Sequence, residues 1–137
     1  MGKSMNAAMR SNIVQIHVPF RDVDMNGQMF LGSYISYAES ALAKFWSERP
    51  DLADEPLYVA SKITCILHRP LRYDEMVLFT TAVDKIGVRS VGFIIAVDTG
   101  DERAAEVEIV WQAQTRDDKA PVPLPEVTRD WLYGFMN

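Results

Sequence analysis

The chain has 137 residues, of which 48% are hydrophobic and 24% charged. That is one ordinary domain with enough apolar side chain for a core, and it excludes disordered and collagen-like chains. Fourteen basic against nineteen acidic residues give a net charge of −5, which disfavours an overall grip on nucleic acid, because phosphate contacts need a basic surface. The single cysteine, Cys65, excludes an internal disulfide framework and a multi-cysteine zinc site.

No run approaches the roughly 20 apolar residues of a membrane helix. Residues 1–12, MGKSMNAAMRSN, have no apolar core of the signal-peptide kind. The sequence therefore predicts a flexible lead-in over 1–12, one domain over 13–137, no membrane or nucleic-acid partner, and a cytoplasmic location.

Val14, Ile16, Val18 and Phe20 alternate with Gln15, His17 and Pro19, the period of a half-buried strand. Pro19 cannot donate to a ladder, so this end is an edge or a bulge. Asp22, Asp24, Asn26 and Gly27 then mark a turn. From about Gly32 to Glu48 the period becomes helical. Tyr34, Ala38, Ala41 and Phe45 make a stripe that Ile35, Leu42 and Trp46 widen. Ser33 is the expected N-cap, and Pro50 stops the helix.

Four strands are expected next: Leu57–His68, Met76–Asp84, Val88–Val97 and Ala104–Thr115. Turns at Pro70–Glu75, Ile86-Gly87 and Thr99–Asp101 separate them, and such short turns imply antiparallel neighbours. Thr128–Met136 reads as a short terminal helix. One long apolar helix needs a covering surface, and a single curled sheet supplies it. The expected class is α+β, with about five antiparallel strands wrapped around one long helix.

Several chemistries lack their residues. There is no glycine-rich phosphate loop and no Gly-x-Ser-x-Gly elbow, and His17 and His68 stand far apart in expected strands. No metal site and no redox cofactor is implied. Cys65, in the apolar run Ile63–Leu67, reads as a buried inert thiol. Asp22 and Asp24 lie at i and i+2, after a strand and before the helix. On spacing alone they read as turn formers, or as acids suited to a helix dipole.

The segment Val18–Ala41 changes that weighting. Asp22, Asp24, Gly27, Gln28, Tyr34, Tyr37 and Glu39 follow the order Asp-x-Asp-x-x-Gly, then a helix with Tyr-x-x-Tyr and Glu. This opening resembles the hot-dog-fold acyl-CoA thioesterases, and more narrowly the 4-hydroxybenzoyl-CoA thioesterase family of the pseudomonad type. Pro70 with Asp74-Glu75 is similar to the family's Pro-x-x-x-Gly-Asp turn. Ile86-Gly87-Val88-Arg89-Ser90 is similar to its Ile-Gly-x-x-Ser hairpin, and Pro123-Leu124-Pro125 to its ending.

The resemblance implies a hot-dog fold and hydrolysis of an acyl-CoA substrate. It implies Asp24 as the catalytic carboxylate, base or nucleophile, with Asp22 orienting the loop. The backbone amide of Leu31, seven residues on, would receive the oxyanion from the helix N-terminus. That division suits a thioester, whose good leaving group needs little acid catalysis. Two positions depart from the family: Gln28 and Leu31 stand where relatives carry histidine. Gln28 can orient a water or the carbonyl but cannot shuttle a proton. Glu39 is a second carboxylate of the kind another hot-dog branch uses as its base. Tyr34 is expected as pocket lining or core.

Lys85, Arg89 and Ser90 belong to the hairpin in which the resembling enzymes hold the CoA end, and Ser90 could also hold the loop around Asp24. The expected strand Val88–Val97 is mostly apolar on both faces, which calls for a second covering and so for a homodimer or homotetramer. Two other readings stay open at this stage: a non-catalytic acyl-binding hot-dog domain, and a hot-dog dehydratase or hydratase.

Overall fold

The computed structural model describes residues 12–137. Five strands form one antiparallel sheet: β1 (Ile13–His17), β2 (Leu57–Leu67), β3 (Met76–Ile86), β4 (Ser90–Thr99) and β5 (Glu102–Gln114). Their order is β1-β3-β4-β5-β2. Two helices complete the α+β arrangement, α1 (Leu31–Trp46) and α2 (Glu126–Tyr133). Of the expected lead-in only Asn12 is among the described residues. Its Nδ2 donates to the Thr81 carbonyl at 2.9 Å, and its own carbonyl accepts from the Thr81 amide at 2.8 Å, so it is fastened to β3.

The chain folds into two compact units, and β2 to β5 each contribute residues to both. The first comprises the chain through Ser47, Cys65–Thr81 and Ile95–Val107. Here β1 pairs antiparallel with β3 from Ile13↔Thr80 to His17↔Met76. The strand ends before Val18-Pro19, as a residue without a donor requires.

In the same unit α1 buries Tyr34, Ala38, Ala41, Leu42 and Phe45. This is the expected stripe, with Ile35 and Trp46 half-buried at its margins. Each fully buried large apolar side chain is worth about 1.5–3 kcal/mol. The ring of Tyr37 meets that of Phe79 on β3 at 5.8 Å. Ser33 is not the N-cap. The cap position falls three residues earlier, at Phe30, and has no side-chain cap. The reason is upstream: the Phe30 amide donates to the Asp22 carbonyl at 2.9 Å, which fixes the chain's entry before Ser33 is reached.

The second unit comprises Glu48–Thr64, Ala82–Ile94 and Glu108–Asn137. Its core includes Val83, Val91, Phe93, Ile109, Leu124 and Leu132. The Trp111 ring lies 5.0 Å from Phe93 and 5.9 Å from Tyr58. Gly87 closes the β3–β4 hairpin by donating to the Ser90 carbonyl at 2.8 Å. A Cβ there would stand 2.7 Å from Ser90 Oγ, so a side chain at this position would require the Ser90 hydroxyl to turn away. Helix α2 starts two residues earlier than expected, directly after Pro125. Its Arg129 donates Nη2 to the carbonyls of Gly87 and Val88 at 2.9 and 3.1 Å.

β4 alternates strictly. Val91, Phe93, Ile95 and Val97 are buried, while Gly92, Ile94 and Ala96 are half-buried. On β2, at the sheet edge, Val59, Ile63, Ile66 and Leu67 are all exposed. Among the described residues no helix is long and apolar enough to cross a membrane.

Candidate active site

The loop between β1 and α1 is built around Asp24. Val23 and Met29 pair as an isolated antiparallel bridge. Inside it the Asp24 amide donates to the Gln28 carbonyl at 2.8 Å, and the Gly27 amide to the Asp24 carbonyl at 3.0 Å. Gly27 has φ +78°, a conformation that costs an L-residue about 1–2 kcal/mol. Asp24 Oδ1 accepts the amides of Asn26 and Gln28 at 2.8 and 3.0 Å. The side chain is a turn former on that oxygen. Its Oδ2 takes no hydrogen bond among the described residues, and the residue is half-buried.

Asp22 is engaged differently. Tyr37, nearly two turns into α1, donates its hydroxyl to Asp22 Oδ2 at 2.5 Å. Burial, and then the carboxylate beside it, push the Tyr37 phenol above its ordinary range, so the phenol stays the donor. With the Phe30 amide on the Asp22 carbonyl, Asp22 ties the loop to the start of α1 by side chain and backbone together.

A second loop supports the first. The Met29 amide donates to the Leu71 carbonyl at 2.7 Å, and the Leu71 amide donates to Tyr34 Oη at 2.9 Å. Tyr34 is 1% exposed, and burial raises its phenol. It is a core residue whose hydroxyl is committed to the backbone beneath the Asp24 loop. Gln28 pairs with Arg72 as a bridge.

Arg69 braces this turn. It gives Nη1 and Nη2 to the two Glu75 oxygens at 3.0 and 2.7 Å, and Nε to Glu102 at 3.1 Å. Its hydrogen bonds hold the Glu75 carboxyl below its usual range. Asp74 sits at φ +68°, in the place where the resembling turn carries glycine. Sequence reasoning missed the Arg69–Glu75 brace, because a pair six residues apart across a proline turn has no periodic signature.

Leu31 is the first residue of α1 and 54% exposed, so its amide opens the helix beside an accessible surface. Lys85, Arg89 and Ser90 lie in the second unit. Ser90 closes its own hairpin, its carbonyl accepting from the Gly87 amide. Lys85 and Ser90 line a cavity of about 160 Å³ together with Lys62 and Gly92, whereas the exposed Arg89 does not line it. Glu39 is exposed on α1. Cys65 is a half-buried free thiol, pushed up by burial.

Solved structures with the same architecture are numerous. A thioesterase from Thermus thermophilus, solved with coenzyme A and zinc, is 25% identical over 90% of this chain and 92% of that one, with a TM-score of 0.78. A Pseudomonas aeruginosa protein is 20% identical over 94% and 95%, TM-score 0.79. A 1,4-dihydroxy-2-naphthoyl-CoA thioesterase from Synechocystis is 11% identical over 88% and 94%, TM-score 0.76. No curated protein matches the chain in sequence.

The sheet order, the long helix after the first strand and these likenesses define a hot-dog fold of the thioesterase kind. The model of the thioesterase-like superfamily matches residues 18–132. The chain belongs to that superfamily, and its enzymatic class is thioester hydrolase.

Proposed function

We propose that the protein hydrolyses an acyl-CoA thioester at a site formed by Asp24 and the N-terminus of α1. One observation carries the reading. The loop spends Asp24 Oδ1 on two backbone amides and leaves Oδ2 unbonded, seven residues before the uncapped start of the helix. A fixed carboxylate with one unbonded oxygen is what a base or a nucleophile requires. The Leu31 amide serves as donor to the oxyanion that develops on the thioester carbonyl, strengthened by the helix dipole. Asp24 either takes a proton from the attacking water or attacks the carbonyl itself. In the first case the water oxygen enters the released acid as the carrier leaves as its thiol; in the second the thiol leaves as an acyl–Asp24 anhydride forms, and water then cleaves that anhydride to the free acid and the regenerated carboxylate.

Gln28, whose backbone fixes the Asp24 loop on one side and Arg72 on the other, orients the water or the carbonyl. Tyr34 acts as a positioning residue through Leu71 and Met29. Lys85 and Ser90, on one cavity, and Arg89 beside them serve the CoA end. The working unit is a homodimer or homotetramer. The exposed apolar side chains along edge strand β2 and the half-buried second face of β4 support that assembly.

The test is thiol release from a panel of aromatic, short- and long-chain acyl-CoA esters, with light scattering on the same samples. Turnover of at least one ester by a particle two or four times the chain mass is expected. No thiol release from any ester would remove hydrolysis, and a fully active monomer would remove the assembly.

A further inference from the structure

Two arginines of one turn are treated differently. Arg69 is saturated, with both Glu75 oxygens and Glu102 as acceptors. Arg72, three residues on, gives only its main-chain amide to Glu75 Oε2, at 2.7 Å. Its exposed guanidinium takes no acceptor among the described residues. Three acids close to it in sequence or on the neighbouring loop have other partners. The Glu75 oxygens are filled by Arg69 and the Arg72 amide. Asp74 lies 3.8 Å from His17 Nδ1, and Asp22 is held by Tyr37.

The Arg72 backbone is nevertheless fixed from three sides: by its amide on Glu75, by the Glu75 amide on its carbonyl at 3.2 Å, and by the bridge to Gln28. The guanidinium reaches back to the Asp24 loop. Its Nη1 stands 3.6 Å from where a Cβ on Gly27 would be. Gly27 is the residue whose amide closes the turn on the Asp24 carbonyl. A cavity of about 640 Å³ opens beside it, lined by Arg69, Pro70, Arg72, Tyr73 and Glu75.

We propose that Arg72 determines specificity by taking an oxyanion of the substrate, a carboxylate on the acyl group or a phosphate on its carrier, at the edge of the Asp24 site. A guanidinium presents planar paired donors suited to either group, and its backbone is already ordered, which lowers the entropy lost on binding. The inference rests on Asp24 marking the reacting centre.

The experiment compares wild type, Arg72→Gln and Arg72→Lys on four substrates: valeryl-CoA, glutaryl-CoA, and the N-acetylcysteamine thioesters of the same two acids. If the anion is on the acyl group, Arg72→Gln raises KM about 10- to 100-fold for both glutaryl esters and leaves both valeryl esters unchanged. If it is on the carrier, both CoA esters are affected and neither truncated ester is. Arg72→Lys restores part of the loss, because an ammonium offers charge without the planar fork. An equal change on all four substrates, or none, overturns the proposal while leaving hydrolysis standing.

Should wild type release no thiol from any of the four, calorimetric titration of CoA and of glutarate into wild type and Arg72→Gln decides instead. Weaker binding of one ligand to the variant supports the proposal, and unchanged binding of both overturns it.

Discussion

Asp22 and Asp24 are two residues apart on one loop, and the fold uses them in opposite ways. Asp22 gives Oδ2 to the Tyr37 phenol and its carbonyl to the Phe30 amide, so it fastens the loop to α1. Asp24 spends Oδ1 within its own turn and keeps Oδ2 unbonded. The same side chain, placed once per rung of a short bridge, serves as a tie in one position and as a poised carboxylate in the next. Chemistry at this loop follows from which partner claims the carboxylate, a helix phenol for Asp22 and the amides of its own turn for Asp24.

The largest expected effect separates the two. Asp24→Asn keeps an amide oxygen to accept from Asn26 and Gln28, so the turn survives and thermal stability holds. Turnover falls about 10²- to 10⁴-fold, as for loss of a general base, and further if Asp24 is the nucleophile. Asp22→Asn, measured in the same thiol-release assay, loses less. Equal losses would erase the distinction between tie and reactive group.

Tyr37→Phe sharpens it from the other side. Removing the phenol leaves the Asp22 carboxylate, only 19% exposed, without its donor, at a cost of about 1–3 kcal/mol in urea unfolding. Its kinetic loss stays below that of Asp24→Asn, because the phenol acts through the loop.

The Arg69–Glu75 brace predicts a pH dependence. The folded Glu75 carboxyl is lowered by its hydrogen bonds to Arg69, so the unfolded chain binds the proton more readily. The brace therefore stabilises fully above the unfolded glutamate value of about 4.3, and its contribution fades as pH falls through the lower folded value. Glu75→Gln should flatten that part of the acid limb and cost about 1 kcal/mol or less at neutral pH.

The smallest effect is a gain. Asp74→Gly removes a left-handed L-residue at φ +68° and should stabilise by about 0.5–1 kcal/mol in thermal unfolding.

The elements were legible where periodicity spoke. The stripe on α1 is the one its Tyr34-Ala38-Ala41-Phe45 spacing predicts, and four of the five strands lie within about two residues of their expected ends, while β1 stops at His17, three residues before Phe20. What failed was set by tertiary bonds. Ser33 has the right chemistry for a cap, but the Phe30 amide was already claimed by Asp22. The props under the Asp24 loop, Tyr34 to Leu71 and Arg69 to Glu75, join residues 37 and 6 apart. No local pattern encodes such partners.

Cys65 offers a way to watch one part of this molecule move. It is the chain's single thiol, half-buried on edge strand β2 and raised above its ordinary range by burial. A thiol that ionises reluctantly in the closed strand reacts faster once the strand opens. A maleimide followed by mass spectrometry thus becomes a clock for β2 alone, with no engineered label. Because one addition per chain is the ceiling, the fraction modified at each time counts chains directly, and a rise in its rate on warming or in urea reports the loosening of that edge.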